Sequence, residues 1–119
     1  MLALGANDGL RGLNPKTTFE NLDAIVSSLR KKGIAVLLVG MKAPPNLGKS
    51  YGTEYDAIFP TIAKTHQIEL YPFFLKGVVT NQEFNQKDGI HPNEAGVGVI
   101  ARNILPYIQR MISRVRKAN

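Results

Sequence analysis

The chain repeats one pattern three times, in which a turn leads into an amphipathic helix and a polar stop leads into a short apolar strand. The first helix is predicted to begin near Pro15, where Thr17 and Glu20 have capping-box spacing. Its apolar positions recur at helical intervals and are Phe19, Leu22, Ile25, Val26 and Leu29. The run from Ile34 to Val39 is almost unbroken in apolar residues, which is typical of a strand covered on both faces.

The middle of the chain continues the pattern. Residues 41–51 are rich in Pro, Gly, Asn and Lys and predict a loop. A helix is predicted over about residues 53–65, and Pro60 is expected to kink it or to split it in two. Residues 68–73 predict the next strand.

A polar loop over about residues 76–92 precedes the last predicted helix, which begins near Asn93 and is expected to bend at Pro106. Its predicted buried positions are Val97, Ile100, Ala101, Ile104, Ile108 and Ile112. Strands and helices that alternate at these lengths predict right-handed crossovers and a layered α/β fold. Functional groups in such folds gather in loops at the carboxyl ends of the strands, which here are residues 5–12, 41–51 and 77–92.

The composition fits one domain. The 119 residues are 44% hydrophobic, and no apolar run is long enough to cross a bilayer. The net charge is +6, and five of the 15 basic residues lie in the last 18 positions, at Arg102, Arg110, Arg114, Arg116 and Lys117. No aromatic platform or nucleic-acid motif accompanies these cations, so nucleic acid is not expected as a partner. The alternative is attachment of the basic tail to an anionic membrane or to nucleic acid. Cysteine is absent, and the two histidines lie far apart, so no metal site is predicted.

The segment Asp88-Gly89-Ile90-His91-Pro92 lies just before the last helix. An Asp three residues before a His, on a turn that contains Gly, can bond one imidazole nitrogen and leave the other free as a base. The alternative is a helix-capping turn that carries a surface histidine.

The segment Gly5-Ala6-Asn7-Asp8-Gly9 directly follows the first predicted strand. Stabilising an acyl oxyanion requires hydrogen-bond donors that are held rigidly, and an Asn amide with glycine N–H groups can supply them. The alternative is an ordinary Asn/Asp-Gly turn.

Taken together, these two segments resemble the third and fifth signature blocks of the SGNH (GDSL-type) serine hydrolase family. Further likeness to its bacterial acyl-thioesterase/lysophospholipase/arylesterase subgroup runs from Met1 to about Ile108, in residues 41–48, 59–60 and 71–74 and at Tyr51 and Tyr55. The resemblance implies a three-layer α/β/α, flavodoxin-like fold with a parallel sheet, of which residues 1–119 would be the C-terminal portion of a single domain. It also implies hydrolysis of esters or thioesters without a cofactor, and it favours an extracytoplasmic bacterial location.

The resemblance also implies roles for individual residues. Asn7 would donate its amide to the oxyanion, and Gly5 would keep the backbone tight beside it. His91 would be the general base, and Asp88 would orient it. A loop matching Pro44, Pro45 and Asn46 borders the substrate cleft in this subgroup.

The family's Gly-Asp-Ser nucleophile block does not occur in these 119 residues. The serines are Ser27 and Ser28 in a predicted helix, Ser50 in a loop and Ser113 in the basic tail. Met1 to Leu4 has the character of half a strand. We therefore expect a fragment whose N-terminal strands are missing, whose nucleophile is supplied by a segment upstream of Met1, and which is inactive alone.

A different class of function is also open. The chain would then be a catalytically inactive fragment, or a module that binds an acyl ligand or a protein. Loss of the first strands would expose a sheet edge, which predicts self-association, with or without domain swapping.

Two further motifs are predicted to be structural. The string Gly96-Val97-Gly98-Val99-Ile100-Ala101 matches G-x-G-x-x-A but lies within a helical pattern, whereas a dinucleotide site must follow a strand. Its glycines are expected to allow close helix packing instead. His66 is expected to cap the end of the second helix.

Overall fold

The computed structural model describes all 119 residues and contains five α-helices and two β-strands. In chain order they are α1 Ala6–Leu10, α2 Pro15–Lys31, β1 Leu37–Val39, α3 Lys49–Asp56, α4 Ile58–His66, β2 Glu69–Tyr71 and α5 Glu94–Ala118. Two 3₁₀ turns, Pro45–Leu47 and Gln82–Phe84, lie in the loops that follow β1 and β2. No helix has both the length and the hydropathy needed to cross a membrane.

The two strands form a parallel sheet. Leu38 of β1 pairs with Leu70 of β2, and on its other side Leu38 forms a parallel bridge with Leu2. The Leu2 N–H donates to the Leu37 carbonyl at 2.8 Å, and the Leu2 carbonyl accepts from the Val39 N–H at 2.9 Å. The segment that contains Leu2 therefore lies at one edge of the sheet, β1 at its centre and β2 at the other edge.

Helices cover both faces of this sheet. On one face, Leu38 packs with α2, α3 and α4 in a cluster completed by Leu22, Val26, Tyr55, Ile58, Phe59, Ile62 and Ala63. On the other face, Leu37, Val39 and Tyr71 pack against Ile104 of α5. The predicted α/β/α layering is thus confirmed, with a sheet of only two strands as expected for an incomplete fold.

The helix predicted to begin near Pro15 is α2, so its start is confirmed, but its capping residue and the strand that follows it differ from the prediction. Asn14, rather than the Thr17–Glu20 box, caps α2, since its side chain accepts the Lys16 N–H at 3.0 Å. At the other end, the Ile34 N–H donates to the Leu29 carbonyl at 3.0 Å, in a Schellman-type stop. Ile34 is therefore bound to the helix end and 45% exposed, and the strand predicted over 34–39 is confined to its last three residues.

The second predicted helix is two helices. α3 begins at Lys49, inside the segment predicted to be a loop, and the break falls at Ala57. Pro60 lies in the first turn of α4, where a backbone N–H has no partner within the helix and its loss costs nothing. Pro60 therefore favours the split over a kinked continuous helix.

The last helix is less buried than predicted. α5 runs without interruption through Pro106, and Ile100 and Ile104 are buried as expected. Val97 is 56% exposed, and Ala101 and Ile112 are also exposed. The reason is that, among the regular elements, only the two strands and the Gln82–Phe84 turn pack against α5, so its outer flank has no helix or strand over it.

Candidate active site

Three loops leave the carboxyl ends of the strands and therefore meet at one edge of the sheet. They follow Leu4, Val39 and Tyr71. The first two loops touch where the Leu47 side chain lies against Gly12. The second and third touch where the Lys42 ammonium lies 5.4 Å from the centre of the Phe73 ring. All the candidate residues lie in these three loops.

The third loop contains the expected hydrogen bond between Asp88 and His91. One carboxylate oxygen of Asp88 lies 2.6 Å from His91 Nδ1. The other accepts the backbone N–H groups of Ile90 at 2.9 Å and of His91 at 3.0 Å. Gly89 has φ +70°, a left-handed conformation that favours glycine and lets the turn close.

Short-range backbone hydrogen bonds close this turn directly before α5. The Gln86 N–H donates to the His91 carbonyl at 2.8 Å, and the Gly89 N–H donates to the Gln86 carbonyl at 2.9 Å. Asn93 then caps α5, since its side chain accepts the Gly96 N–H at 3.0 Å. The turn and the helix cap are thus consecutive. A helix-capping role for this segment is therefore compatible with a role for His91 as a general base.

The electrostatics of the turn leave His91 available as a base. The backbone N–H of His91, then its imidazole, and then the Ile90 N–H lower the pKa of Asp88 to about 2, so that this carboxylate is ionised at neutral pH. An ionised carboxylate accepts a hydrogen bond from Nδ1–H, which favours the tautomer whose Nε2 lone pair points away from Asp88. Nε2 has no protein partner, and the His91 side chain is 69% exposed.

The Gly5–Gly9 segment forms a short helix rather than the alternative Asn/Asp-Gly turn. Gly5 precedes α1 with φ +97°, and the Gly9 N–H donates to the Gly5 carbonyl at 3.1 Å. Asn7 lies in the first turn of α1, where it is exposed and its side-chain amide has no hydrogen-bond partner in the chain. The amide is therefore free to donate to a substrate.

Side chains from α2 and α3 brace α1, which sequence reasoning did not foresee. The buried Thr18 hydroxyl donates to the Asp8 carboxylate at 2.9 Å, and the Tyr55 hydroxyl donates to the Gly5 carbonyl at 2.6 Å. Tyr51 donates to the Leu13 carbonyl at 2.8 Å. The sequence predicts only that Tyr55 lies in a helix, because a contact across 50 residues leaves no local pattern.

The second loop is anchored at its base. The Ala43 N–H donates to a carboxylate oxygen of Asp56 at 2.8 Å. Beyond that anchor, Pro44 is half-buried, whereas Pro45 and Asn46 are exposed in the 3₁₀ turn. The exposed part of this loop is thus available to border a cleft at the same edge of the sheet.

No hydrogen bond or ion pair joins Asn7 to His91, and no serine bonds to the His91 ring, whose only protein partner is Asp88. Ser27 and Ser28 lie in the half of α2 that leads to the opposite edge of the sheet. Ser113 lies about 28 Å along α5 from its first residue, at a rise of roughly 1.5 Å per residue. Ser50, in the first turn of α3, is the serine that lies at the same edge as His91.

The remaining motifs are structural. A Cβ on Gly96 would lie 2.1 Å from the Phe84 carbonyl oxygen, so this glycine is needed for close packing, whereas Gly98 meets only the Arg102 side chain. The expected cap at His66 is wrong, because its Nε2 bonds Asp23 of α2 at 2.6 Å and Gln67 adopts the left-handed cap conformation. No cluster of three or more metal-ligating side chains is present.

The sequence model of the GDSL-like Lipase/Acylhydrolase family matches residues 1–99. The chain belongs to this family. It is 41% identical over 92 residues to an arylesterase of Vibrio mimicus, across 77% of this chain and 46% of that protein. It is 34% identical over 113 residues to the thioesterase 1/protease 1/lysophospholipase L1 of Escherichia coli K12, across 95% of this chain and 54% of that protein.

Solved structures of the family share the fold. The crystal structure of TesA aligns with a TM-score of 0.84 at 37% identity, across 91% of this chain and 60% of that one. The chain spans about half the length of the curated relatives it matches. The SGNH resemblance is therefore confirmed, and these relatives are esterases and thioesterases by name.

Proposed function

We propose that these 119 residues carry the general base, the orienting carboxylate and an oxyanion donor of a serine hydrolase that acts on carboxylic esters or thioesters. They would form the C-terminal portion of a single SGNH domain. The observation that carries the proposal is the Asp88–His91 pair. Its 2.6 Å bond leaves Nε2 exposed at the edge of the sheet where Asn7 and the Pro44-Pro45-Asn46 loop also lie.

The chemistry follows from these groups. A serine hydroxyl attacks the acyl carbonyl while His91 Nε2 takes its proton, and the carbonyl electrons move onto the oxygen. The Asn7 amide donates to that oxyanion, next to backbone N–H groups at the start of α1. As the oxyanion collapses, the bond to the leaving alcohol or thiol breaks, and His91 returns the proton to it. Water repeats the sequence and releases the acid, with no cofactor.

The nucleophile in this proposal comes from a segment upstream of Met1. Three of the four serines are too distant from His91 to be activated by it, and Ser50 makes no bond to it. The length of the relatives, about twice that of the matched region, is compatible with such a segment. The chain alone is then expected to be inactive.

The proposal is tested with p-nitrophenyl butyrate, using the native protein that contains these residues and the 119-residue chain alone. Changing His91 to Ala in the native protein should lower kcat by a factor of about 10⁴ or more, because the serine loses its base. Ser50→Ala is the matched control and should leave the rate unchanged. A His91→Ala variant with the wild-type rate would end the assignment, and a loss of activity in Ser50→Ala would place the nucleophile within this chain.

A specific observation favours self-association of the chain when it is isolated. The backbone of Leu2 pairs with β1 on one side only, and its neighbours Met1 and Leu4 are exposed by 63% and 50%. An unpaired strand edge with apolar neighbours is a template for another strand. Either the upstream segment or a second copy of the chain would satisfy it.

Light scattering, which measures the oligomeric state, tests whether the upstream segment or a second copy of the chain covers this edge. The isolated chain is expected to form dimers or larger species, and the native protein is expected to be less associated at equal concentration. A stable monomer of the isolated chain would count against an edge that needs a partner.

A further inference from the structure

The Tyr55 ring touches both ends of the turn that carries Asn7. Tyr55 is fully buried on α3, and its hydroxyl donates to the Gly5 carbonyl at 2.6 Å. The same carbonyl accepts the Gly9 N–H at 3.1 Å. Both bonds converge on the peptide group directly before α1, where Gly5 has the left-handed φ of +97° and no side chain to restrain the backbone.

The ring also fills the space beside Gly9. A Cβ built on Gly9 would lie 2.7 Å from Tyr55 Cζ and 2.9 Å from its hydroxyl oxygen. The backbone of Gly9 therefore rests directly on the ring. Asn7 lies between the two points of contact and is itself exposed.

A second donor holds the residue next to Asn7. The Thr18 hydroxyl, on the buried face of α2, donates to the Asp8 carboxylate at 2.9 Å. Tyr51 stacks on Tyr55 with ring centres 6.0 Å apart, and Phe59 meets it edge-on at 5.8 Å. Burial, and then the nearby Tyr51 and acidic groups, raise the pKa of Tyr55, so that its hydroxyl keeps the proton that it donates.

We infer that Tyr55, assisted by Thr18, is a positioning residue that fixes the Asn7 amide in the orientation needed by the oxyanion. The inference rests on the proposed function, because it concerns the same acyl-transfer site. Tyr55 does not touch the substrate. It acts through the Gly5 peptide, and a displacement of about 1 Å in a positioned group can cost a factor of about 100 in rate.

The test uses Tyr55→Phe in the native protein, because phenylalanine keeps the ring against Gly9 and Phe59 and removes only the donor. We expect kcat for p-nitrophenyl butyrate to fall about 10- to 100-fold, with KM within about twofold, because the Asn7 amide that Tyr55 positions serves the transition state. The pH midpoint of kcat/KM should not move, since His91 is untouched. Tyr107→Phe is the matched control: its ring lies on Tyr71, its hydroxyl has no hydrogen-bond partner, and it should retain the wild-type rate.

A second readout does not depend on activity. Loss of the Tyr55 donor should speed amide hydrogen exchange at Gly9 by about tenfold, and leave exchange in α5 unchanged. If Tyr55→Phe does not fold, Thr18→Val replaces it and is expected to lower kcat in the same direction. Wild-type kcat in whichever variant folds overturns the inference, as does a rise in KM with kcat intact.

His91→Ala, measured in parallel, distinguishes the two possible failures. If His91→Ala abolishes activity and Tyr55→Phe retains the wild-type kcat, the positioning role fails and the proposed function stands. If His91→Ala retains activity, the proposed function fails, and the positioning role fails with it.

Discussion

The two halves of the candidate site are held in opposite ways. The turn around Asn7 is braced from outside, by Thr18 and Tyr55, which lie 10 and 50 residues from the groups they bond. The turn around His91 is held mainly from within, by bonds that span two to five residues. In the proposed site, the oxyanion donor Asn7 would therefore depend on the core of the domain, whereas the base His91 would depend on a short and exposed piece of chain. Substitutions that disturb the bracing of the Asn7 turn should therefore lower stability. Substitutions in the His91 turn should lower activity and leave stability nearly unchanged.

The largest of the remaining effects is expected at Asp88. In Asp88→Asn the amide no longer holds the Nδ1 proton, so the imidazole loses its tautomer and orientation, and kcat should fall by a factor of about 10³–10⁴. Because Asp88 lies in an exposed turn, the melting temperature should change little. A kcat within tenfold of wild type for p-nitrophenyl butyrate would contradict the orienting role.

Asn7→Ala is expected to lower kcat by a factor of about 10²–10³ and to leave KM nearly unchanged, because one oxyanion donor is lost. The Asn7 side chain is exposed and unpartnered, so stability should again be unaffected. Asn21→Ala, on the exposed face of α2, is the matched control. Equal rates for the two variants would remove Asn7 from the site.

On the braced side, Gly9→Ala should destabilise the protein by about 1–3 kcal/mol, because the new methyl group overlaps the Tyr55 ring. Gly52→Ala in α3 meets nothing within 4 Å and should be neutral or slightly stabilising, since alanine favours helix. Chemical denaturation compares the pair. A Gly9→Ala variant as stable as Gly52→Ala would show that the turn has room to move, and would weaken the contrast between the two turns.

The smallest expected effect is an acid transition confined to the His91 turn. Asp88 has its pKa lowered to about 2 in the folded chain from an ordinary value of 3.8, so its stabilising contribution is complete above about pH 4 and is lost as the pH falls towards 2. The backbone N–H signals of Ile90 and His91 should titrate in this window when followed by NMR. The Tyr55 hydroxyl stays protonated throughout, so its bond to Gly5 should persist. A midpoint near 4 would show that the Asp88 bonds are absent in solution.

A hydrogen bond can be predicted from the sequence when its two partners lie close together along the chain. The Asp88–His91 bond could be predicted because an acceptor, a turn glycine and a donor lie within four positions. The Tyr55–Gly5 bond could not, because an aromatic residue at a helical interval has the same pattern whether it fills the core or braces a distant turn. The layered fold followed from the alternation of elements. The strand lengths did not, because the Schellman stop at Ile34 and the number of neighbouring strands are settled by tertiary contacts.

The central claim is that His91 and Asn7 serve a serine that these 119 residues do not contain. Its most direct test is to treat the native protein with a fluorophosphonate ester, which labels an activated serine, and to map the adduct by mass spectrometry. The predicted result is one adduct on a serine outside these residues, which disappears in His91→Ala. An adduct on Ser50, or on any of the other three serines of this chain, would contradict the account.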